Sequence, residues 1–315
     1  MTIMRTTTLG STTTMLNYIK AGESRYNKLA EQAASGSKLT EPSENPTGAK
    51  TVLNINTKLD QLASYSQNMA LAQNELDVLD NTFTSITDSI QFANDLATQG
   101  ANGTYTQTDL NNIKTQIDQI MDNLADLGNT QFNGNYLFSG TSTSTPAYSV
   151  TTDALGNITN VSYNGTPSTD EYQRSVQISD GVNVGINTTG DQLLGSYDAG
   201  PPATGSGLFL TLGNLSTALA SGDRAGISSS LGSLSTDLDT VLASQAKFAS
   251  VSQRFEMTES SNATMVTQLK GARSDLQDAD LSEVLTSLTA QQTALEATMS
   301  VTAQMMKGTS LLDYL

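Results

Sequence analysis

Apolar residues recur at steps of four and three through most of this chain. In the last 36 residues, Leu281, Leu285, Leu288, Leu295, Met299 and Met306 keep that spacing, with Gln292 and Thr302 in two polar slots. This is a heptad seam of a and d positions. It is narrower than the face of a helix sunk in a globular core, and suits a helix lying along one other helix. Asp280 followed by Glu283 predicts a capping box at its start, and Gly308 a stop at its end. Ser287 takes a c position in this register and is expected to face away from the partner. The chain closes on Leu311, Leu312, Tyr314 and Leu315, a greasy end expected to be packed at home or to meet a partner.

A second, thinner seam runs through Met15, Ile19, Gly22, Tyr26, Leu29 and Ala33, predicting a helix over about 11–35 that needs a neighbour. Gly36 stops it. Asn45 and Pro46 then read as an N-cap with proline at the first helical position. A long helix to about Thr98 follows, with Val52, Ile55, Leu59, Leu62, Met69, Leu76, Leu79, Phe83, Ile86 and Ile90 on its seam. Thr106 and Asp109 open a third helix that ends at Gly128. A short glycine-containing turn joins it to the long one, so the two are expected to be antiparallel. Helical text resumes near Leu208. From Asp223 another long helix carries Ile227, Leu231, Leu234, Leu238, Val241, Phe248, Phe255, Val266 and Leu269, with polar residues at 245, 252, 259 and 262. Arg273 to Asp280 is read as the link to the last helix.

Between the helical halves the pattern changes. Four of the six prolines fall within 141–205. Short β-branched runs there predict strands at Tyr148–Thr152, Ile158–Tyr163, Ser175–Ile178 and Val182–Ile186, with a hairpin turn over Asp153–Asn157. The fold class that follows is mainly α with an inserted β domain (α+β), an elongated antiparallel helical bundle or coiled coil formed by the N- and C-terminal halves. The expected segments are an N-terminal assembly helix and loop at 1–45, a first half of the helical rod at 46–140 and the small β insert at 141–205. The second half of the rod follows at 206–279, and a C-terminal assembly helix at 280–315. The insert is expected to be dispensable for assembly.

Composition narrows the function. The 315 residues include no cysteine, histidine or tryptophan, so disulfides, thiolate chemistry and the commonest general base and metal ligand are excluded. The formal net charge of -16 argues against nucleic acid and against an anionic membrane surface. Seven of the 15 basic residues lie at or before Lys58 and six at or after Arg224, so mixed charge sits on the helical ends. No run of 18 apolar residues is present, so no membrane insertion is expected. Met1 to Met15 lacks the charged and apolar regions of a Sec signal peptide. Asp275, Asp278 and Asp280 form a carboxylate cluster at an element boundary, read as helix capping and a solvated turn. No nucleophile–base pair and no phosphate loop are found. No catalytic residue, cofactor or metal is therefore expected. Gln131–Gly140 (QFNGNYLFSG) reads as a hairpin whose Phe132, Tyr136, Leu137 and Phe138 fill a junction.

Three stretches together resemble the flagellin family. They are SGSKLTEPSENPTGAK after the first helix, QFNGNYLFSG after the helix pair, and Arg273 to Asp280 (RSDLQDAD) before the last helix. The chain end SLLDYL is similar to that of the family's hook-associated members. Glu44 and Asn45 stand where family members commonly carry two aspartates, and Pro46 where they usually have alanine. The resemblance covers roughly 4–140 and 205–315. It implies a flagellin-like fold and a structural protein at the hook–filament junction, secreted to the extracellular flagellum through the type III export route without a Sec signal. It implies a ring of copies between a FlgK-type hook-associated protein and flagellin, and a FlgN-type export chaperone on the C-terminal helix. The assembly interface would be formed by Met15, Ile19, Tyr26, Leu29, Leu281, Leu285, Leu288, Leu295, Met299 and Met306. The filament subunit itself, and an adhesion or host-interaction module carried by the insert, are the alternative readings.

Overall fold

The computed structural model describes residues 3–167 and 174–308. They fall into a central unit, Leu62–Asn262, and a terminal unit built from residues up to Gln61 and from Ala263 on. Seven helices account for most of the described chain: α1 Ile3–Ser35, α2 Pro46–Ala101, α3 Gln107–Gly128, α4 Gly190–Leu193, α5 Gly207–Ser221, α6 Arg224–Gln277 and α7 Leu281–Gly308. The fold is mainly α with an inserted antiparallel β region, as the pattern of the sequence predicts. α1 starts earlier than its seam suggests, and α6 runs on to Gln277 through most of the stretch read as a link.

In the central unit, α2 and α6 repeat apolar residues every seven positions. Leu62, Met69, Leu76, Phe83, Ile90 and Ala97 are buried on one helix, and Ile227, Leu234, Val241, Phe248 and Phe255 on the other. A repeat of 3.5 residues per turn keeps such a line facing its neighbour over many turns. Polar residues beside this line bind across it. Gln245 Nε2 donates to Asp80 Oδ1 at 2.9 Å, Gln73 Nε2 to Ser252 Oγ at 2.7 Å, and Ser66 Oγ to Glu259 Oε1 at 3.2 Å. Along α2 these rungs ascend by heptads while along α6 they descend, so the two helices are antiparallel. The polar slots at 245, 252 and 259 thus have partners.

Two devices shape the α2–α3 turn. Thr106 and Asp109 form the capping box of α3, each side chain bonded to the other's backbone amide. The Arg224 guanidinium gathers the carbonyls of Asn102, Gly103 and Tyr105, which follow the end of α2.

The β region has three antiparallel parts. β1 Gln131–Phe132 and β2 Asn135–Tyr136 form the hairpin read in QFNGNYLFSG. Its turn uses Asn133 and Gly134, both at positive φ, 50° and 79°, as a two-residue hairpin requires. Leu137 and Phe138 are buried just beyond it. β3 Tyr148–Thr152, β4 Ile158–Tyr163, β7 Ser196–Asp198 and β8 Thr204–Ser206 form a four-stranded sheet in the order β3-β4-β7-β8. β5 Ser175–Ser179 pairs with β6 Val182–Gly185. The Asp153–Asn157 turn closes on Asp153 Oδ1, which accepts from the amides of Leu155 and Asn157 at 2.8 and 2.9 Å.

These strands have no core of their own. Ala147, Tyr148, Ile158, Val161, Ile178, Val184, Ile186 and Tyr197 belong to one continuous hydrophobic cluster with α2, α3, α5 and α6. The Tyr148 ring lies 5.1 Å from Phe209 of α5 and 5.5 Å from Tyr163, centroid to centroid. It fits because Gly128 and Gly190 carry no Cβ where the ring passes. One ion pair ties a strand start to a helix. Arg174 Nη2 donates to both oxygens of Glu75, at 2.8 and 2.7 Å, and Glu75 is buried. Among the described residues no helix is long and apolar enough to cross a membrane.

Candidate assembly surface

The terminal unit holds α1, the loop after it, the first turns of α2, the last turns of α6, and α7. It has little core. Among its described residues Ile55 is the one buried large apolar side chain. α1 and α7 pack against each other, and apart from Thr302 the residues they turn inward are half-buried rather than buried.

On α1 the seam predicted from the sequence is the observed one. Met15, Ile19, Gly22, Tyr26, Leu29 and Ala33 are all half-buried, while their neighbours Leu16 and Tyr18 are exposed. On α7 the outcome differs. The residues turned inward are Val284, Ser287, Leu288, Gln291, Leu295, Thr298 and Thr302, and Thr302 is buried. Of the apolar residues read as one seam, Leu288 and Leu295 are among these. Leu281, Leu285 and Met299 are 49%, 54% and 43% exposed. Ser287 does not face away. With about 100° of rotation per residue, the covered face is turned by roughly 80° from the line of Leu281, Leu285 and Met299. The apolar stripe of α7 is thus wider than α1 covers. Val284, Gln291 and Thr298 were missed because a second four-three series overlaps the greasier one, sharing Leu288, Leu295 and Thr302. The Met306 side chain and residues 309–315, including the apolar chain end, lie outside the described residues.

The helix ends are held by short local bonds. Asp280 Oδ1 accepts from the amides of Ser282 and Glu283, at 2.9 and 3.2 Å, which is the Asp280 half of the predicted box at the start of α7. Asn45 Oδ1 accepts from the Gly48 amide at 2.8 Å, with Pro46 opening α2, so the N-cap reading of this loop holds.

The loop after α1 is bonded to the α6–α7 junction through the backbone. Lys38 N donates to Gln277 O at 2.6 Å and Ala279 N to Gly36 O at 2.9 Å, with a bridge between Ser37 and Asp278. Gly36 at φ 68° makes the bend. Lys38 Nζ reaches Asp275 O at 3.0 Å, and Arg273 Nη1 reaches Asn56 Oδ1 at 3.2 Å. Lys28 pairs with Glu44 at 2.7 Å. The sequence stretches SGSKLTEPSENPTGAK and RSDLQDAD therefore meet, and the carboxylates of the second act as a cap and turn. Among the described residues no group of three or more acidic side chains is placed to hold a metal ion.

Such an arrangement can do one thing chemically. It pairs the two terminal helices and leaves an apolar strip of α7 exposed.

Comparison with known proteins agrees with the geometry. The bacterial flagellin N-terminal helical region matches residues 7–143 and the bacterial flagellin C-terminal helical region residues 231–315. The chain is 26% identical over 310 residues to flagellar hook-associated protein 3 of Salmonella typhimurium (strain LT2), covering 93% of this chain and 94% of that one. It is 25% identical over 310 residues to flagellar hook-associated protein 3 of Escherichia coli (strain K12), again covering 93% and 94%. A solved structure of a flagellar hook-associated protein from Vibrio parahaemolyticus has the same fold, with a TM-score of 0.61 at 21% identity over 75% of this chain and all of that one. The two family regions are the segments that carry α1 to β2 and most of α6 with α7, and on that ground the chain belongs to the flagellin family.

Proposed function

We propose that this chain is a hook-associated structural protein of the extracellular bacterial flagellum, joining hook to filament through the helices at its two ends. The observation that carries the reading is the uncovered part of α7. Leu281, Leu285 and Met299 stand in solvent on a helix whose other side is already paired with α1. A surface stripe of this kind gains by meeting another helix, at about 25 cal/mol per Å² of apolar area removed from water. The curated relatives that span nearly the whole chain are named hook-associated proteins, which favours the junction over the filament subunit. In this reading copies of the chain form a ring, with a FlgK-type protein on one side and flagellin on the other. A FlgN-type chaperone covers α7 before export, and export proceeds by the type III route.

The test is Leu285→Asp. Leu285 is more than half exposed, so the isolated protein should keep its helix content and stability. Incorporation into flagella should nevertheless be lost, because the aspartate cannot leave water in a helix contact. Leu288→Asp and Leu295→Asp should lose incorporation too, and should weaken the α1–α7 pair in the free protein as well. Attached filaments at wild-type frequency in a Leu285→Asp strain would sink the reading.

A further inference from the structure

Gly22 sits in the middle of α1, where glycine weakens a helix relative to alanine. Its backbone is not at positive φ, so conformational freedom does not account for it. Close approach does. A Cβ built on Gly22 would lie 3.0 Å from Leu295 Cδ1, and Gln291 Nε2 donates to the Gly22 carbonyl at 3.3 Å. The other glycine of α1, Gly10, has nothing within 4 Å of the same construction. Gln291 is itself a polar residue on the half-buried face of α7, one turn from Leu295.

We infer that Gly22, Gln291 and Leu295 form a lock that sets the register of α1 against α7. Apolar heptads alone tolerate slips of seven residues, because every slip again faces apolar residues with apolar residues. This seam does not tolerate them. One heptad either way brings Met15 or Leu29 to the place of Gly22. Either side chain fills the notch that receives Leu295 and covers the carbonyl that Gln291 needs. Gln291 then stays in the contact without its partner, which is the costly outcome for a polar group withdrawn from water. Ala33, the other small residue of the seam, is not a heptad from Gly22 and offers no second notch in the same frame. The lock refines the assembly reading: the stripe left exposed on α7 keeps its position only if α7 cannot slide along α1.

The chain has no cysteine, so spin labels can be placed at will. Asn27→Cys and Ala290→Cys put them on exposed positions of the two helices of the full-length protein. The wild-type seam should give one narrow distance between the labels. Gly22→Leu should add a second distance population, from pairs slipped along the axis by about 10 Å, the rise of seven helical residues, or broaden the distribution. Gln291→Leu should broaden it in the same direction. Gly22→Ala, whose Cβ meets Leu295 Cδ1 at 3.0 Å, should broaden the distribution too, and adding Leu295→Ala, which returns the space, should restore the single narrow distance; a general loss of helix pairing would not be rescued by a second truncation. Since leucine favours helix more than glycine, a slip in Gly22→Leu cannot be attributed to a weaker α1. A broad wild-type distribution would overturn the inference. So would an unchanged distance in Gly22→Leu, or an equal effect of Ala33→Leu. Leu285 lies outside this contact, so a failed register test and a failed incorporation test of Leu285→Asp remain separate results.

Discussion

The rings of Phe83 and Phe248 stack with centroids 5.8 Å apart and planes inclined by 24°. Both side chains are buried, one on α2 and one on α6, and Phe138, just after the β1–β2 hairpin, meets Phe83 edge-on at 6.3 Å. This is where the helical halves and the β region share one contact. Phe248→Ala should therefore cost about 3–5 kcal/mol. Urea unfolding followed by circular dichroism measures it, and a loss under 1 kcal/mol would show that the cluster is not the centre of the fold.

The Glu75–Arg174 pair allows a sharper comparison. Arg174→Met strands a buried carboxylate and should cost about 3 kcal/mol, the low end of the range because the arginine keeps some contact with water. Glu75→Leu together with Arg174→Met removes the charge as well as its partner and should recover most of that loss. The same unfolding measurement decides it, and a double variant no better than Arg174→Met alone would mean that the pair supplies shape rather than charge compensation.

Asp237 should make stability depend on pH. Burial raises its pKa above the ordinary 3.8, while a bond from Thr211 pulls the other way. Oδ2 is buried and has no hydrogen-bond partner among the described residues. A raised folded-state pKa means the folded protein holds the proton more tightly than the unfolded chain. The penalty is full at neutral pH, where both states are ionised. It falls as pH drops through the folded-state pKa and is gone below about 3.8, where both are protonated. Asp237→Asn should accordingly stabilise the protein at pH 7 and lose that advantage in acid. Equal gains at pH 7 and pH 3.5 would refute the assignment.

Replacing 141–205 by a short linker should not leave the helices intact, although the sharp change of composition at its ends makes the segment look detachable. Tyr148 lies against Phe209, and Leu193, Leu194 and Tyr197 are buried in the same cluster. Their loss opens the α3–α5 side of the core. The truncated protein should unfold without a cooperative transition in calorimetry. A sharp transition at the wild-type temperature would restore the view of the insert as a separate body.

Much of this fold was legible because its longest elements state their period locally. Seven-residue recurrence in α2 and α6, the seam of α1, the caps at Asn45, Thr106 and Asp280, and the alternation in β3 and β4 are all written within a few turns or residues. β7 and β8 were not, since Ser196–Asp198 and Thr204–Ser206 are three residues each and owe their pairing to the neighbouring strand. Glu75 and Arg174 are 99 residues apart, and no local pattern joins them. The face of α7 turned to α1 was hidden for another reason. Two overlapping four-three series compete there, and the greasier one is not the one that α1 takes; Gly22 of α1 lies against Leu295, which both series share, and Gln291, which belongs to the other.

The backbone bonds between the loop after α1 and the α6–α7 junction bear on the order in which the protein can be completed. The Lys38 amide donates to the carbonyl of Gln277, and the Ala279 amide to the carbonyl of Gly36, each across well over 200 positions of chain. Contacts between such distant segments form slowly and late. If the chain is delivered end first, by a ribosome or through a pore, the central unit has every partner it needs before α1 has its partner α7. In that order α1 must wait, unpaired, for α7, the last of the helices, so the α1–α7 pair is the last contact to exist.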